Sequence, residues 1–400
     1  NNIGFNGILV QSMLNLNVSG NTIRNVGLTT STTNGIGGII LSSGINGAVI
    51  SANTITGVAS NATGTGVNSV CGIELGATVI NTAISGNTIT DISNVNPAGY
   101  GARGIMISTG AANSYDTIVN NMISNVYGYA EAATSRWPLG ISIEGTTGRV
   151  NVWHNSVHLF GSQQGTNIAS GSAAMFIGTS GTNLDIRNNI FVNGYDNIGS
   201  STDQGYAMYS TQSGTAQYSF NDYNDYYVTG PNVLGYRTSN RVTLADMQAG
   251  FGGNTASFAV DPGFTSTTDL HIAASQSPLE SAGASIGVTS DIDGDARPGP
   301  AGSVNGGGTA ADIGADEFDA APQDVNPPTI TYTPLGASCD TSDRTLTATI
   351  ADVSGIATGV SLPRVYYKRT SDLTWFSQPG TLTAGTVFNG TYSFTIVAAD

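Results

Sequence analysis

Apolar residues recur along the first half of the chain in fixed relation to an asparagine. It stands at Asn21, Asn53, Asn87, Asn121, Asn155 and Asn189, at spacings of 32, 34, 34, 34 and 34 residues. Three residues before it lie Val18, Ile50, Ile84, Ile118, Val152 and Ile186, and two after it Ile23, Ile55, Ile89, Ile123, Val157 and Phe191. A second landmark, usually Gly and an alternating apolar triplet, precedes each asparagine by 13 to 16 residues, at Ile8, Ile39, Ile73, Ile105, Ile141 and Met175, and recurs at Met208. Helical tetratricopeptide arrays share the 34-residue period. Here the apolar residues alternate with period two, and Gly and Asn interrupt every stretch long enough for a helix, so each repeat reads as one coil of strands and turns.

Coils stacked at the strand spacing of about 4.8 Å turn such columns into internal aliphatic ladders. The pattern therefore predicts an all-β chain: a right-handed parallel β-helix of about seven coils over 1–230. The asparagine is expected at a sharp corner, adopting a left-handed bend and hydrogen-bonding to its copies above and below. Variable stretches such as Gly57–Gly66 and Ser93–Gly101 read as loops projecting from one side, where such scaffolds carry function.

The repeat decays after Asn189, with Asn221-Asp222-Tyr223 as an expected last corner. Residues 231–318 are expected to cap the open apolar end, with a short helix over Thr243–Gly250 started by Thr243. A proline-rich linker spans 319–328. Longer alternating strands follow at Thr345–Ile350, Arg364–Arg369 and Tyr392–Val397. The segment 329–400 reads as an incomplete immunoglobulin-like sandwich, about 70 residues where such a module needs about 100. The chain is accordingly expected to be part of a longer protein, with upstream sequence covering the first coil.

Charge narrows the partners. Charged residues make up 10% of the chain, net charge is −15, and Lys368 is the only lysine. Nothing supplies a patch that neutralises phosphates, so nucleic acid and anionic membrane surfaces are excluded as partners, and no apolar stretch is long enough for membrane insertion by a helix. Cys71 and Cys339 fall in different expected domains and form no disulfide framework.

The motifs between the coils and the linker come in a set order: Asp261-Pro-Gly-Phe264, Asp269-Leu-His-Ile272, Ser277-Pro278, Asp291-Ile-Asp-Gly-Asp295 with Arg297-Pro298, and Asp312-Ile-Gly-Ala-Asp-Glu317. With the Asn-x-Ile coils they resemble a family of bacterial secreted parallel β-helix proteins, common on Bacteroidetes cell surfaces. The resemblance covers about 1–318. It implies an extracellular location, export by type IX secretion machinery and a following immunoglobulin-like module. That family includes both carbohydrate-active enzymes and non-enzymatic surface proteins.

Catalysis on a β-helix needs charges that converge on outward positions of neighbouring coils. The outward column Leu9, Ile40, Glu74, Met106, Ser142, Phe176, Tyr209 holds one carboxylate; the column Ser19, Ser51, Ser85, Val119, Trp153, Arg187 holds one base. Glu74, Glu144 and Arg187 are the candidate catalytic groups, against the plainer reading as solvated surface charges. Trp153 and Arg187 can form a sugar-stacking platform. Asp291, Asp293 and Asp295, alternating around Gly294, can hold calcium or shape a turn, which Asp312, Asp316 and Glu317 could join in space. His154 and His158 lack a third metal ligand. Thr54, Thr56, Thr88 and Thr90 point outward like an ice-binding array, but the array stops there. These features favour a non-enzymatic surface scaffold or adhesin with cell-surface components as partners. The alternative is a polysaccharide-binding or polysaccharide-degrading β-helix protein.

Overall fold

The computed structural model describes residues 6–28, 36–61, 70–96, 101–128, 137–164, 171–178, 180–198, 204–299, 310–322, 327–336, 342–352, 355–359, 362–370 and 372–398. The loop tips within Gly57–Gly66 and Ser93–Gly101, part of the linker, and Cys339 lie outside them. The chain divides into two compact units, 1–322 and 323–400.

The first unit is a parallel β-helix. Among the described residues three sheets run its length. Sheet one starts at Asn6–Val10 and adds one parallel strand per coil up to Val233–Arg237. Sheet two runs from Asn17–Ser19 to Tyr218–Asp222, and sheet three from Thr22–Leu28 to Asp225–Val228, with seven strands each. The register is the one the columns predict. Ile50 pairs with Ile84, Ile84 with Ile118, Ile118 with Val152 and Val152 with Ile186. Ile55, Ile89, Ile123, Val157 and Phe191 align likewise, and all of them are fully buried.

Glycine of the Gly-led triplet has a steric reason. A Cβ at Gly38, Gly72, Gly104 or Gly140 would fall 2.5, 2.5, 2.4 or 2.3 Å from the side chain of Ile55, Ile89, Ile123 or Val157 on sheet three. Sheets one and three approach too closely there for a methyl group.

The corner is built by two adjacent residues. The left-handed conformation belongs to the residue before the asparagine: Gly20, Ala52, Gly86, Asn120, His154, Asn188 and Tyr223 have φ between 50 and 66°. This corrects the expectation that the asparagine itself takes the bend. The asparagine instead forms the ladder. Asn53, Asn87, Asn121 and Asn155 each donate from Nδ2 to Oδ1 of the next asparagine at 2.9–3.0 Å. The last asparagine of the ladder is Asn224, not Asn221, accepting from Asn189 Nδ2 at 2.9 Å. Ser257 then takes the position one coil later, its hydroxyl accepting the Asn224 N–H at 3.1 Å.

The end of the helix is closed in two steps. Ser239–Arg241 pairs antiparallel with Val233–Arg237 and ends sheet one. Helix α1 (Leu244–Phe251) follows, with Thr243 as N-cap in a capping box with Asp246. Its Met247 and Phe251 complete the main core. The expected cap at 231–318 is therefore only its first part. After the helix the chain runs back as a brace, described over 260–299 and 310–320, across the outer face of sheet three. Ile190 and Val192 pack there against Ile272, Leu279, Ile313 and Phe318, and Met122 packs against Leu270 and Ala315. From the coil of Asp225 to that of Met122 is three strand spacings, about 14 Å. The brace also explains why the threonine array stops: Thr54 and Thr88 continue in register to Met122, which is buried under the brace.

The second unit holds a four-stranded antiparallel sheet in the order Thr329–Tyr332, Arg344–Ala351, Asn389–Ile396, Thr381–Gly385, and a hairpin of Arg364–Tyr367 with Phe376–Pro379. Its core is Ala348, Ile350, Ile356, Tyr392 and Phe394.

Candidate functional site

Three groups of candidates fall on three different faces. On sheet one the outward column next to that of Glu74 runs Gly37, Cys71, Arg103, Leu139, Ala173, Tyr206. Arg103 is its one charge and is fully buried. Its Nε donates to Glu144 Oε1 at 2.7 Å, and Nη1 to the Trp137 carbonyl at 2.9 Å. Glu74 accepts from Ser108 Oγ at 3.3 Å. Burial raises the Glu74 carboxyl above the ordinary range; the Ser108 hydrogen bond opposes this, and Glu144 adds to the rise. Glu144 is thus paired with a buried guanidinium, while Glu74 feels the charge of both without a hydrogen bond to either among those described. The guanidinium's sequence signal was a lone arginine in an otherwise small or apolar column. Arg187 does not join them, because it lies on sheet two.

On sheet two Arg187 is held by Asp185 through Nε at 2.7 Å and Nη2 at 2.5 Å, and its guanidinium lies 4.3 Å from the centre of the Phe220 ring. Trp153 is its register partner one coil earlier. The Trp153 indole N–H is buried and finds no hydrogen-bond acceptor among the described residues. Arg187 is therefore the centre of an Asp185–Arg187–Phe220 stack, with Trp153 beside it.

On the brace the expected carboxylate trio separates. Asp291 Oδ1 accepts the N–H groups of Asp293, Gly294 and Asp295 at 2.8–2.9 Å, and its Oδ2 accepts from the Glu317 N–H at 3.0 Å. Asp291 shapes a turn with both oxygens occupied. Asp293 reaches instead to His271, Nε2 to Oδ2 at 2.8 Å. Asp312 accepts the N–H groups of Ser281 and Phe318 at 2.6 and 2.8 Å, and Glu317 pairs with Arg297.

His154 and His158 stay apart. His154 sits in the corner column with both ring nitrogens engaged: Nδ1 is 3.3 Å from the Gly314 carbonyl, and Nε2 accepts from Asn188 Nδ2 at 2.8 Å. It ties the coils to the brace, and burial pulls its pKa well down. His158 lies between Phe160 and Phe264, where burial lowers it to about 4.

One buried carboxyl has a consequence for stability. Asp225 accepts the Val260 N–H at 3.0 Å where the brace begins, while its other oxygen has no partner among the described residues. Burial pushes its carboxyl from 3.8 to about 8; the Val260 N–H opposes the rise and Asp261 adds to it. The folded chain thus holds a proton that the unfolded chain releases. This contribution is fully present below the ordinary carboxylate pKa and is lost as pH rises through the folded one. Asp225→Asn should therefore raise the thermal midpoint by an amount that grows from pH 4 to pH 8. A pH-independent difference between the two proteins would refute it.

Comparison of the chain with protein families, curated proteins and solved structures finds no match.

Proposed function

We propose that the chain is a rigid, non-enzymatic scaffold or adhesin at the outer surface of a bacterial cell. The observation that carries this reading is internal neutralisation. Glu144 closes on Arg103, Arg187 on Asp185 and Glu317 on Arg297, so these charges meet partners of their own chain rather than converging on an open cleft. A concavity of 460 Å³ on the first unit is lined by Thr182, Thr211, Gln212, Ser213 and Gln217, and by no acid or base. Stacked coils repeat at a fixed spacing, which suits display. A single lysine in 400 residues and a following antiparallel unit support an exported, right-handed β-helix with an immunoglobulin-like module. The type IX route and a Bacteroidetes source rest on the motif series at 261–317. Its partners are then other surface components, polysaccharide or protein.

The exposed Phe220 ring under Arg187 favours one second reading, polysaccharide binding on sheet two. A panel of acidic and neutral polysaccharides, assayed for new reducing ends and for retardation in affinity gels, separates the two. The scaffold reading expects no new ends. Turnover that disappears in Glu74→Gln or Glu144→Gln makes the chain an enzyme and ends that reading. Retardation without turnover, lost in Phe220→Ala, supports the second one.

A further inference from the structure

Three side chains from separate loops of the brace meet at the Asp293–His271 contact. One imidazole nitrogen of His271 and one carboxylate oxygen each of Asp293 and Asp316 all lie within 4.8 Å of one another. Asp316 is nine-tenths buried, with 8% of its surface exposed, and its Oδ2 is anchored by the Ile272 N–H at 2.8 Å. Asp269 Oδ1 lies 2.5 Å from His271 Nδ1, which turns Nε2 toward Asp293. Among the described residues no arginine or lysine forms an ion pair with Asp269, Asp293 or Asp316. We propose that His271, Asp293 and Asp316 form a binding site for a divalent transition ion of the zinc class.

The donor set selects the class of ion. Imidazole suits zinc, copper, iron and nickel, whereas calcium gathers six to eight oxygens and magnesium keeps its waters. One nitrogen and two carboxylate oxygens supply three protein ligands, and water completes a four-coordinate shell. A carboxylate on the far ring nitrogen fixes the tautomer and the ring plane of a metal-binding histidine. Asp269 stands in that position here, as a positioning residue rather than a ligand. The calcium arrangement at Asp291, Asp293 and Asp295 lacks this support, because both oxygens of Asp291 already accept backbone N–H groups. An ion held by His271, Asp293 and Asp316 would link three loops of the brace where they cross sheet three.

The test uses the full chain stripped with chelator. Cobalt is titrated as a visible-absorption probe for four-coordinate geometry, and zinc and calcium are titrated by calorimetry. One cobalt or zinc per chain is expected. His271→Ala should weaken binding at least tenfold, and Asp269→Asn by about 10–100-fold. Asp293→Asn, at an exposed position, repeats the test should the histidine variant fold poorly. Asp295→Asn should bind as the parent does. Absence of zinc or cobalt binding at millimolar ion, binding unchanged in both His271→Ala and Asp293→Asn, or a response to calcium alone would each overturn the proposal.

Discussion

Replacing Arg297 by Met should detach the brace while leaving the coils folded, at a cost of about 3–5 kcal/mol, the usual penalty for removing one partner of a buried ion pair. Arg297 belongs to the brace and turns a wholly buried side chain toward the coils. Its guanidinium donates to Glu317 Oε2 at 2.5 Å and to the carbonyls of Gly314 and Asp312 at 3.0 and 3.3 Å. A further contact at 3.4 Å reaches Asn120 Oδ1 at a corner of the coil. Burial pushes the Glu317 carboxyl up to about 7 and pulls the Arg297 guanidinium down, so desolvation outweighs mutual attraction on both partners. The pair is therefore costly to break yet not worth much against an uncharged replacement. Arg297→Met alone should speed hydrogen exchange across 260–299 and 310–320 and open those segments to protease, with exchange in the coils little changed. Arg297→Met combined with Glu317→Gln should recover more than half of the loss, because no buried charge is left alone. A single variant as protected as the parent, or a double variant as labile as the single, would refute the account.

How much of this was legible in the sequence depends on whether a contact repeats. The aliphatic columns and the asparagine ladder recur every coil, so five spacings of 32–34 residues were enough to set strand, register and core. Two details failed, one where the repeat changes and one at a position within it. Strand Tyr218–Asp222 pairs with a register shift at Leu184/Asp185, and the ladder resumes at Asn224, three residues later than expected. The left-handed position was misplaced by one residue because glycine, alanine, asparagine, histidine and tyrosine all occupy it, and no single residue type marks it. The brace makes contacts such as Asn120 Nδ2 to the Ser290 carbonyl, 170 residues apart and made once. Its footprint was nonetheless visible. Outward positions that hold Thr54 and Thr88 early hold Met122 and Ile190 later, and an apolar residue on an outward column implies a cover. The candidate sites were less legible for the same reason. Arg103 pairs with Glu144 across 41 residues and His271 with Asp293 across 22, and neither spacing belongs to the repeat.

The ladder gives the second large effect. Asn121 is fully buried, and its side chain makes five hydrogen bonds. Oδ1 accepts the backbone N–H and Nδ2 of Asn87 at 3.0 and 2.9 Å, while Nδ2 donates to the carbonyls of Ile84 and Val119 at 3.0 Å and to Asn155 Oδ1 at 2.9 Å. Asn121→Ala leaves the buried N–H of Asn87 without its acceptor and should cost about 2–4 kcal/mol. Asn121→Asp keeps the shape and that acceptor, but it turns the second oxygen toward three others. Its carboxyl is thereby raised above its unfolded value, so the loss should exceed that of alanine at neutral pH and shrink as acid protonates it. Among the described residues no asparagine donates to Asn21, which is only partly buried, so Asn21→Ala should cost under about 1 kcal/mol. Removing Asn87 and Asn121 together should cost less than the sum of the two, because they share bonds. Urea unfolding of these variants at pH 5 and pH 8 checks the series. Equal losses at Asn21 and Asn121, or an aspartate variant insensitive to pH, would mean that the ladder accompanies the stacking of the coils without holding it.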